Sequence, residues 1–373
     1  MSAPAGTISC IVGTRAQLIK MAPVLLELER RRVAYRFVLT GQHEETIADL
    51  LAEFGIATRP ERLFERGEVT RAWQAPWWFL GGLGRLWRRR RELLGAGGGR
   101  RGVAVVHGDT FSTLLGALAG RLAGAWVVHV ESGLRSFRLL HPFPEELTRR
   151  LVFRLTDVAC CPGRWACENL AGYRLERLDT GGNTLVDAVA LARRAAPGPA
   201  REDAYAVCSL HRFENIFRRR RFDALLGLVE RAAARCPVVF VLHPATRARL
   251  LRYGWLGRLE ANPRIELRAR MGYLDFMRLL AAARFVITDG GSNQEELSYL
   301  GIPTLLMREA TERTEGLGET ATLGGSDPAV LERFLDGLRD APRPAFSPPL
   351  LSPSALIAER LESLAGGRPS EPG

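Results

Sequence analysis

The sequence predicts an α/β protein built from two doubly wound parallel-sheet domains facing each other across a cleft. Three observations carry that prediction. Short β-branched runs alternate with longer helical patterns along the whole chain, which is the mark of βαβ units. Runs such as Val103-Ala104-Val105-Val106 are apolar without alternation, as strands covered on both faces must be. The chain has 373 residues, and at about 150 residues per domain that length suggests two domains.

Taken in order, the first half reads as strands at Thr7–Val12, Arg36–Leu39, Val103–Val106, Trp126–Val130 and Asp157–Cys161. Helices begin between them, near Gln17, Thr46, Thr110 and Glu145. A second series runs through Ala206–Leu210, Val238–Leu242, Ile265–Leu267, Phe285–Thr288 and Thr304–Met307. Gly181-Gly182 and the Ala/Pro/Gly-rich stretch Ala195–Ala200 separate the two series. The expected division is a domain over 1–175 and a domain over 176–351, with the helical pattern of 352–373 packing back on the first. Arg71–Leu94 departs from the alternation: Trp73, Trp77, Trp78, Phe79 and Trp87 run into Arg88–Arg91. Aromatics beside arginines suit an interfacial helix on a membrane surface. The favoured reading is a cleft-lining or dimer-contact helix with buried Trp and a solvated Arg face.

Composition excludes several classes. With 46% hydrophobic and 25% charged residues the chain sits at the globular average, which excludes a disordered chain or a membrane bundle. The net charge is +11, but of 52 basic residues only Lys20 is lysine, leaving 52 − 1 = 51 arginines. Such a skew reflects coding bias, and no basic stripe with interleaved aromatics accompanies a recognised motif, so no nucleic-acid partner is expected. The six cysteines form no CxxC pair and no His pair has zinc spacing; reduced thiols, a cytoplasmic location and no metal are expected. The N-terminus enters a strand almost at once, so no signal peptide is expected, and no run reaches the roughly 18 apolar residues of a membrane span.

Ligands of open parallel sheets bind beyond the carboxyl ends of the strands, so polar residues there are the site candidates. The first strand ends in Gly13-Thr14-Arg15, a turn that presents N–H groups at a helix start, with Lys20 on the helix behind it. Later strands end in His107-Gly108-Asp109 and Glu131-Ser132-Gly133, and Pro142-Phe143-Pro144-Glu145 opens a helix with Arg149 one turn on. If the two strands are neighbours, Asp109 and Glu131 come from adjacent positions, about 5 Å apart. Three carboxylates there repel one another, and acid/base chemistry uses the raised proton affinity that results. In the second series the strand ends are His211-Arg212, His243-Pro244 and Asp289-Gly290-Gly291-Ser292, the last followed by a helix carrying Glu296. Gly-Gly-Ser before a helix is a phosphate cradle, a glutamate one turn on can accept from ribose hydroxyls, and Arg308 and Arg313 add charge. The picture is a nucleotide diphosphate on the second domain, with its sugar aimed at carboxylates of the first.

The segments GTRAQLIKMAPV, TGQHEE, VHGDTFST, HVESGLRS, HPFPEELTRR, GGNTLVDAV, SLHRFENI, VLHP and TDGGSNQEELSYLGIPTLLMREATERTE occur in order from residue 13 to 315. With them the chain resembles the non-hydrolysing UDP-N-acetylglucosamine 2-epimerases, whose GT-B fold pairs two Rossmann-like domains. The resemblance implies inversion at C2 by elimination of UDP through 2-acetamidoglucal and re-addition, giving UDP-N-acetylmannosamine for polysaccharide precursors without metal or nicotinamide. It implies acid/base roles for Asp109, Glu131 and Glu145, and stabilisation of departing UDP by His211. Arg15, Lys20 and Arg149 then line the sugar and diphosphate region. Gly291, Ser292, Glu296 and Arg313 bind UDP. A second UDP-N-acetylglucosamine as activator would contact Gln42, Glu45, Arg212 and His243, and a homodimer is implied. Departures are Arg15-Ala16-Gln17 for the usual Arg-Pro-Glu, Gly290-Gly291-Ser292-Asn293 for Ser-Gly-Gly with a following Ile, His211-Arg212-Phe213 for His-Arg-Arg, and Glu45 for a glutamine. They bear on the sugar substituents accepted and on the activator. Alternative readings are a GT-B glycosyltransferase passing the sugar of a UDP-sugar to an acceptor, an epimerase of a related UDP-2-acetamido sugar or uronate, a hydrolysing epimerase and a non-catalytic binding protein.

Overall fold

The computed structural model describes residues 6–40, 44–63, 75–95, 101–138, 144–194, 204–311, 313, 315–338 and 351–366. The chain divides into two units, Met1–Ala188 with Pro349–Gly373, and Val189–Pro348. The first holds seven strands, β1 (Ile8–Val12), β2 (Tyr35–Leu39), β3 (Pro60–Arg62), β4 (Val103–His107), β5 (Trp126–Val130), β6 (Val158–Cys161) and β7 (Glu176–Asp179). They pair in parallel in the order β3-β2-β1-β4-β5-β6-β7. The second holds β8 (Ala206–Ser209), β9 (Val238–Leu242), β10 (Ile265–Ala269), β11 (Phe285–Thr288), β12 (Thr304–Leu306) and β13 (Ala321–Leu323), parallel in the order β10-β9-β8-β11-β12-β13.

Both sheets reverse direction of winding once, between β1 and β4 in the first and between β8 and β11 in the second. The crevice at such a reversal, beyond the carboxyl ends of the two strands, is where doubly wound sheets take ligands. The central strands are buried along their whole length, as their unalternating apolar sequences require.

One expectation is corrected. A boundary at 175/176 would cut β7 from the sheet it completes, because Val158–Cys161 pairs in register with Glu176–Asp179. The strand escaped notice because Glu-Arg-Leu-Asp at a sheet edge is largely exposed and carries no apolar run. The last helix, Pro353–Gly366, lies on the helix Arg15–Arg30. Arg360 pairs with Glu176, the Ser354 N–H donates to Asp187 at 2.8 Å, and the Gly6 N–H donates to the Ala365 carbonyl at 2.9 Å.

The Trp-rich segment forms a helix at Ala75–Arg88 and a short one at Arg90–Leu93. Trp78 and Leu86 are buried in the cluster that includes Leu115 and Val127. Trp77 and Trp87 remain exposed, which corrects the expectation that the tryptophans are buried. Trp73 lies outside the described residues.

The loops at the first reversal are joined by one side chain. Gly13 sits so close to Ser112 that a Cβ there would fall 1.9 Å from its Oγ, so no side chain fits at the end of β1. Thr14 then caps the helix Arg15–Arg30 in a capping box with Gln17. Gln17 Oε1 accepts from the N–H groups of Gly13 and Thr14 at 2.9 and 3.1 Å. Its Nε2 donates to the His107 carbonyl at 2.5 Å and to Thr110 and Thr113 Oγ1 at 3.1 Å each. Gln17 is buried, and an amide can accept from one loop while donating to the other. A carboxylate has no proton for the His107 carbonyl, which gives the departure from glutamate a structural consequence.

Orphaning a buried polar group costs about 1–3 kcal/mol, so Gln17→Leu is expected to lower the melting temperature of the protein by at least about 2 °C. Gln17→Glu should also lower it, because it keeps the acceptors and removes the donor. Calorimetry on the two variants checks this, and unchanged melting in both would remove the bridging role.

Candidate active site

The carboxyl edge of the first sheet gathers the acidic candidates. Asp109 follows β4, and Glu131 follows β5, its neighbour in the sheet. Glu131 takes φ +60°, a left-handed conformation that a non-glycine residue adopts at some cost. The expected mutual repulsion of the carboxylates is answered by cations. Lys20 Nζ donates to both Glu131 oxygens, at 2.7 and 2.8 Å, and both side chains are only 7% exposed. Arg149 Nε and Nη2 donate to Asp109 Oδ2 at 2.9 and 2.6 Å.

Glu145 and Glu146, adjacent in sequence, have different surroundings. Glu146 is fully buried and accepts from Arg135 Nε at 2.7 Å and from the Ser136 N–H at 3.0 Å. Burial pushes its carboxyl up, but the Ser136 N–H and the Arg135 guanidinium outweigh burial and hold it below the usual range. Glu146 is therefore an anchor, one that also places Arg149 Nη1 at 3.5 Å. Glu145 is different: its Oε2 is buried with no hydrogen bond among the described residues. A buried carboxyl oxygen without such a partner has unused hydrogen-bonding capacity.

The histidines at strand ends separate by environment. His129 places its Nε2 2.7 Å from the Gly108 carbonyl and its Nδ1 2.9 Å from Ser132 Oγ. Burial pulls its imidazole down to about 4, so it stays neutral at pH 7 and braces the Gly108 turn. His107 is also buried, with Nε2 3.1 Å from Glu131 Oε2. His43, His141 and Gln42 lie outside the described residues, as does the side chain of Glu45. Arg15 begins the helix whose start Gln17 fixes.

At the reversal of the second sheet, the fully buried Asp289 organises the turn after β8. Its carboxylate accepts from the His211 N–H at 3.0 Å, the Arg212 N–H at 3.0 Å and Asn215 Nδ2 at 2.9 Å. The His211 ring is partly exposed, with Nδ1 3.3 Å from Asp289, and stacks on His243 at a centroid distance of 4.6 Å. Arg212 pairs with Glu214 at 3.0 Å.

Beside this turn, the helix Gly291–Leu300 starts at Gly290, an N-cap without a side chain to occupy the first N–H groups. Arg308 and Arg313 close on it: a Cβ on Gly291 would lie 2.9 Å from Arg313 Nε and 3.7 Å from Arg308 Nη1. Arg313 pairs with the buried Glu295. Gln294 donates to the carbonyls of Arg313 and Glu315 at 3.1 and 3.0 Å, which ties the arginine loop to the helix. Ser292 is partly exposed in the first turn. Glu296 is buried and faces the Tyr273 hydroxyl, whose proton affinity rises through burial and through that carboxylate. Helix N-terminus and two guanidinium groups together make an anion site. Among the described residues no three His, Cys, Asp or Glu side chains are grouped as metal ligands, and no helix is long and apolar enough to cross a membrane.

The structure thus brings Lys20, Asp109, Glu131 and Arg149 to one edge of the first unit with Glu145 on the next helix. It brings His211, Arg212, His243, Gly291, Ser292, Glu296 and Arg313 to the corresponding edge of the second. Sequence reasoning passed over Gln17, Glu146, Asn215 and Asp289 as site residues. Asp289 had a usable signal, as the last polar residue of a strand before two glycines; what was missing was that β11 pairs with β8.

Comparison with known proteins agrees with this geometry. A family model described as UDP-N-acetylglucosamine 2-epimerase matches residues 26–339. The UDP-N-acetylglucosamine 2-epimerase of Methanococcus maripaludis is 30% identical over 337 residues, 86% of this chain and 88% of that protein. The UDP-2,3-diacetamido-2,3-dideoxy-D-glucuronate 2-epimerase of Pseudomonas aeruginosa is 30% identical over 339 residues, 86% and 89% of the two chains. The structure of UDP-GlcNAc 2-epimerase from Methanocaldococcus jannaschii superimposes with a TM-score of 0.78 at 25% identity, over 95% of this chain and 99% of that one. The crystal structure of that enzyme in complex with UDP-GlcNAc and UDP gives 0.74 at 26% identity, over the same shares. A family match over most of the chain, with two parallel-sheet units of GT-B type, places the protein: it is an isomerase belonging to the UDP-N-acetylglucosamine 2-epimerase family.

Proposed function

We propose that the protein interconverts UDP-N-acetylglucosamine and UDP-N-acetylmannosamine by eliminating UDP and adding it back through 2-acetamidoglucal, in supply of polysaccharide precursors. The observation that carries this reading is the carboxyl edge of the first unit: two ion-paired carboxylates, Asp109 and Glu131, and a third, Glu145, with a buried oxygen that has no hydrogen bond among the described residues. Inversion at C2 needs a proton removed from one face of the sugar and delivered to the other, hence more than one carboxyl group. The second unit's part is the leaving group. The open N-terminus of Gly291–Leu300, with Arg308 and Arg313, suits a diphosphate, and Glu296 suits a ribose hydroxyl. His211, fixed through its backbone by Asp289 but with an exposed ring edge, suits the charge that develops as UDP departs. Lys20 and Arg149 belong with the sugar, and Arg15 with the diphosphate. Arg212 and His243 are assigned to a second UDP-sugar acting as activator, together with Gln42 and Glu45, and the active form is a homodimer.

A second reading takes a UDP-2-acetamido uronate as substrate. It is supported by the equal 30% identity to the relative named for a diacetamido uronate and by Asn293 and Phe213 in place of the residues usual at those positions.

Incubation with UDP-N-acetylglucosamine in heavy water is expected to place deuterium at C2 of both recovered substrate and product, read by NMR. Label only with a uronate substrate would select the second reading, and no label with either would remove both.

Asp109→Asn, Glu131→Gln and Glu145→Gln should each lower turnover by at least about 100-fold, the scale of a positioned acid or base. At least one of them should still release UDP and 2-acetamidoglucal, since elimination can outlast failed re-addition. Near-normal turnover in all three variants contradicts the assignment. His211→Ala should slow UDP release by about 100-fold with substrate affinity little changed, as for loss of a leaving-group stabiliser; single-turnover kinetics separate the two effects.

A further inference from the structure

Lys20 holds both oxygens of Glu131 from the end of a long, flexible side chain. A second, rigid contact would fix the carboxylate plane. His107 stands where such a contact must come from. It is the last residue of β4, opposite Val130 in register, and so sits beside the strand end from which Glu131 projects. Its side chain is 4% exposed and places Nε2 3.1 Å from Glu131 Oε2. Neither ring nitrogen has formed a hydrogen bond to the described residues. The backbone beneath the ring is immobilised, because the His107 carbonyl accepts from Gln17 Nε2 at 2.5 Å and from Thr113 Oγ1 at 2.6 Å. His129 on the next strand is a contrast, with both ring nitrogens engaged by Gly108 and Ser132.

We propose that His107 is a positioning residue for Glu131, an inference that rests on the epimerase reading above. With a proton on Nε2, a small turn of the ring brings that N–H onto Oε2, where with Lys20 it fixes the carboxylate plane against the C2–H bond. When Glu131 takes up a proton, Lys20 continues to hold one oxygen and the imidazole keeps the other from rotating toward the protein. No proton leaves His107 in this scheme, and no additional reactant is needed. Its contribution is geometric: a misplacement of about 1 Å at a reacting carboxylate costs on the order of 100-fold in rate.

The test compares His107→Leu, which removes both nitrogens, with His107→Gln, whose amide N–H reaches Oε2. His107→Leu is expected to lower kcat about 10- to 100-fold and to slow deuterium entry at C2 by the same factor, with KM within about 3-fold. His107→Gln is expected to return kcat to within about 5-fold of wild type, a rescue that a space-filling role would not show. His107→Asn, too short to reach, should behave like Leu and provides the comparison if the leucine variant does not fold. Equal losses in Gln and Asn, a KM effect without a kcat effect, or unimpaired turnover without a nitrogen in reach would each overturn the role. Wild-type exchange in the same series separates the two levels. Its absence removes the epimerase reading and this role with it, whereas wild-type exchange with full activity in His107→Leu removes the role alone.

Discussion

Burying a carboxylate costs several kcal/mol unless a cation and hydrogen bonds answer it, and holding a non-glycine residue in the left-handed region adds about 1–3 kcal/mol. Glu131 carries both costs, and the group that offsets them is Lys20. Much of the first unit serves to bring that ammonium to that carboxylate. Lys20 lies three residues beyond Gln17 on one helix, so both face the same way. Gln17 fixes where the helix starts through the capping box with Thr14, and it fixes the neighbouring β4 loop by donating to the His107 carbonyl. Gly13 allows β1 to end against Ser112 with no intervening side chain. The position of the ion pair is thereby set by backbone geometry at the reversal of the sheet. Long flexible side chains seeking each other across a surface would not place it as closely.

The second unit solves the same problem by other means. Asp289 is fully buried at the corresponding reversal, but it is satisfied by N–H donors from His211, Arg212 and Asn215. Backbone donors hold a carboxylate without placing a cation in the site, and they orient the turn that presents the His211 ring. Positive charge is instead concentrated at Gly291–Leu300, where Arg313 is already offset by Glu295. An anion arriving there meets one arginine partly neutralised and one, Arg308, nearly buried. Such a cradle attracts an anion with charge that the protein has already partly offset.

The parts of this architecture legible in the sequence were those written in long apolar runs. Ten strands are marked by β-branched stretches, and each carboxyl end announces its polar residues. Three edge strands were not legible: Pro60–Arg62, Glu176–Asp179 and Ala321–Leu323 are three or four residues long and exposed or polar in part, so no pattern marks them. For the same reason the boundary was placed before β7. The site was legible as residue types at strand ends, because Asp109, Glu131 and the Gly-Gly-Ser turn need only local order to be recognised. What depended on tertiary pairing was hidden. Which of Glu145 and Glu146 is anchored by Arg135, and that Asp289 meets His211, follow from non-adjacent elements coming together, and no spacing in a single sequence encodes that. The tryptophans show the same limit, since helical periodicity cannot say that Trp78 packs inward while Trp77 and Trp87 do not.

Lys20 carries the last step of the argument. It stands alone in a chain whose other 51 basic residues are arginine. Charge alone does not explain this, because arginine also pairs with carboxylates through two parallel bonds. The difference lies in what remains after pairing. An ammonium has three donors, and two of them reach Glu131 at 2.7 and 2.8 Å. A guanidinium has five, so three N–H groups would need acceptors in a place where the side chain is 7% exposed. Its planar fork would also need more width between the helix Arg15–Arg30 and the end of β5 than the compact ammonium does. Each unpaired buried N–H would cost about 1–3 kcal/mol, enough to cancel the benefit of the ion pair. A lysine at this position therefore pairs both Glu131 oxygens and leaves one donor over, where an arginine would leave three.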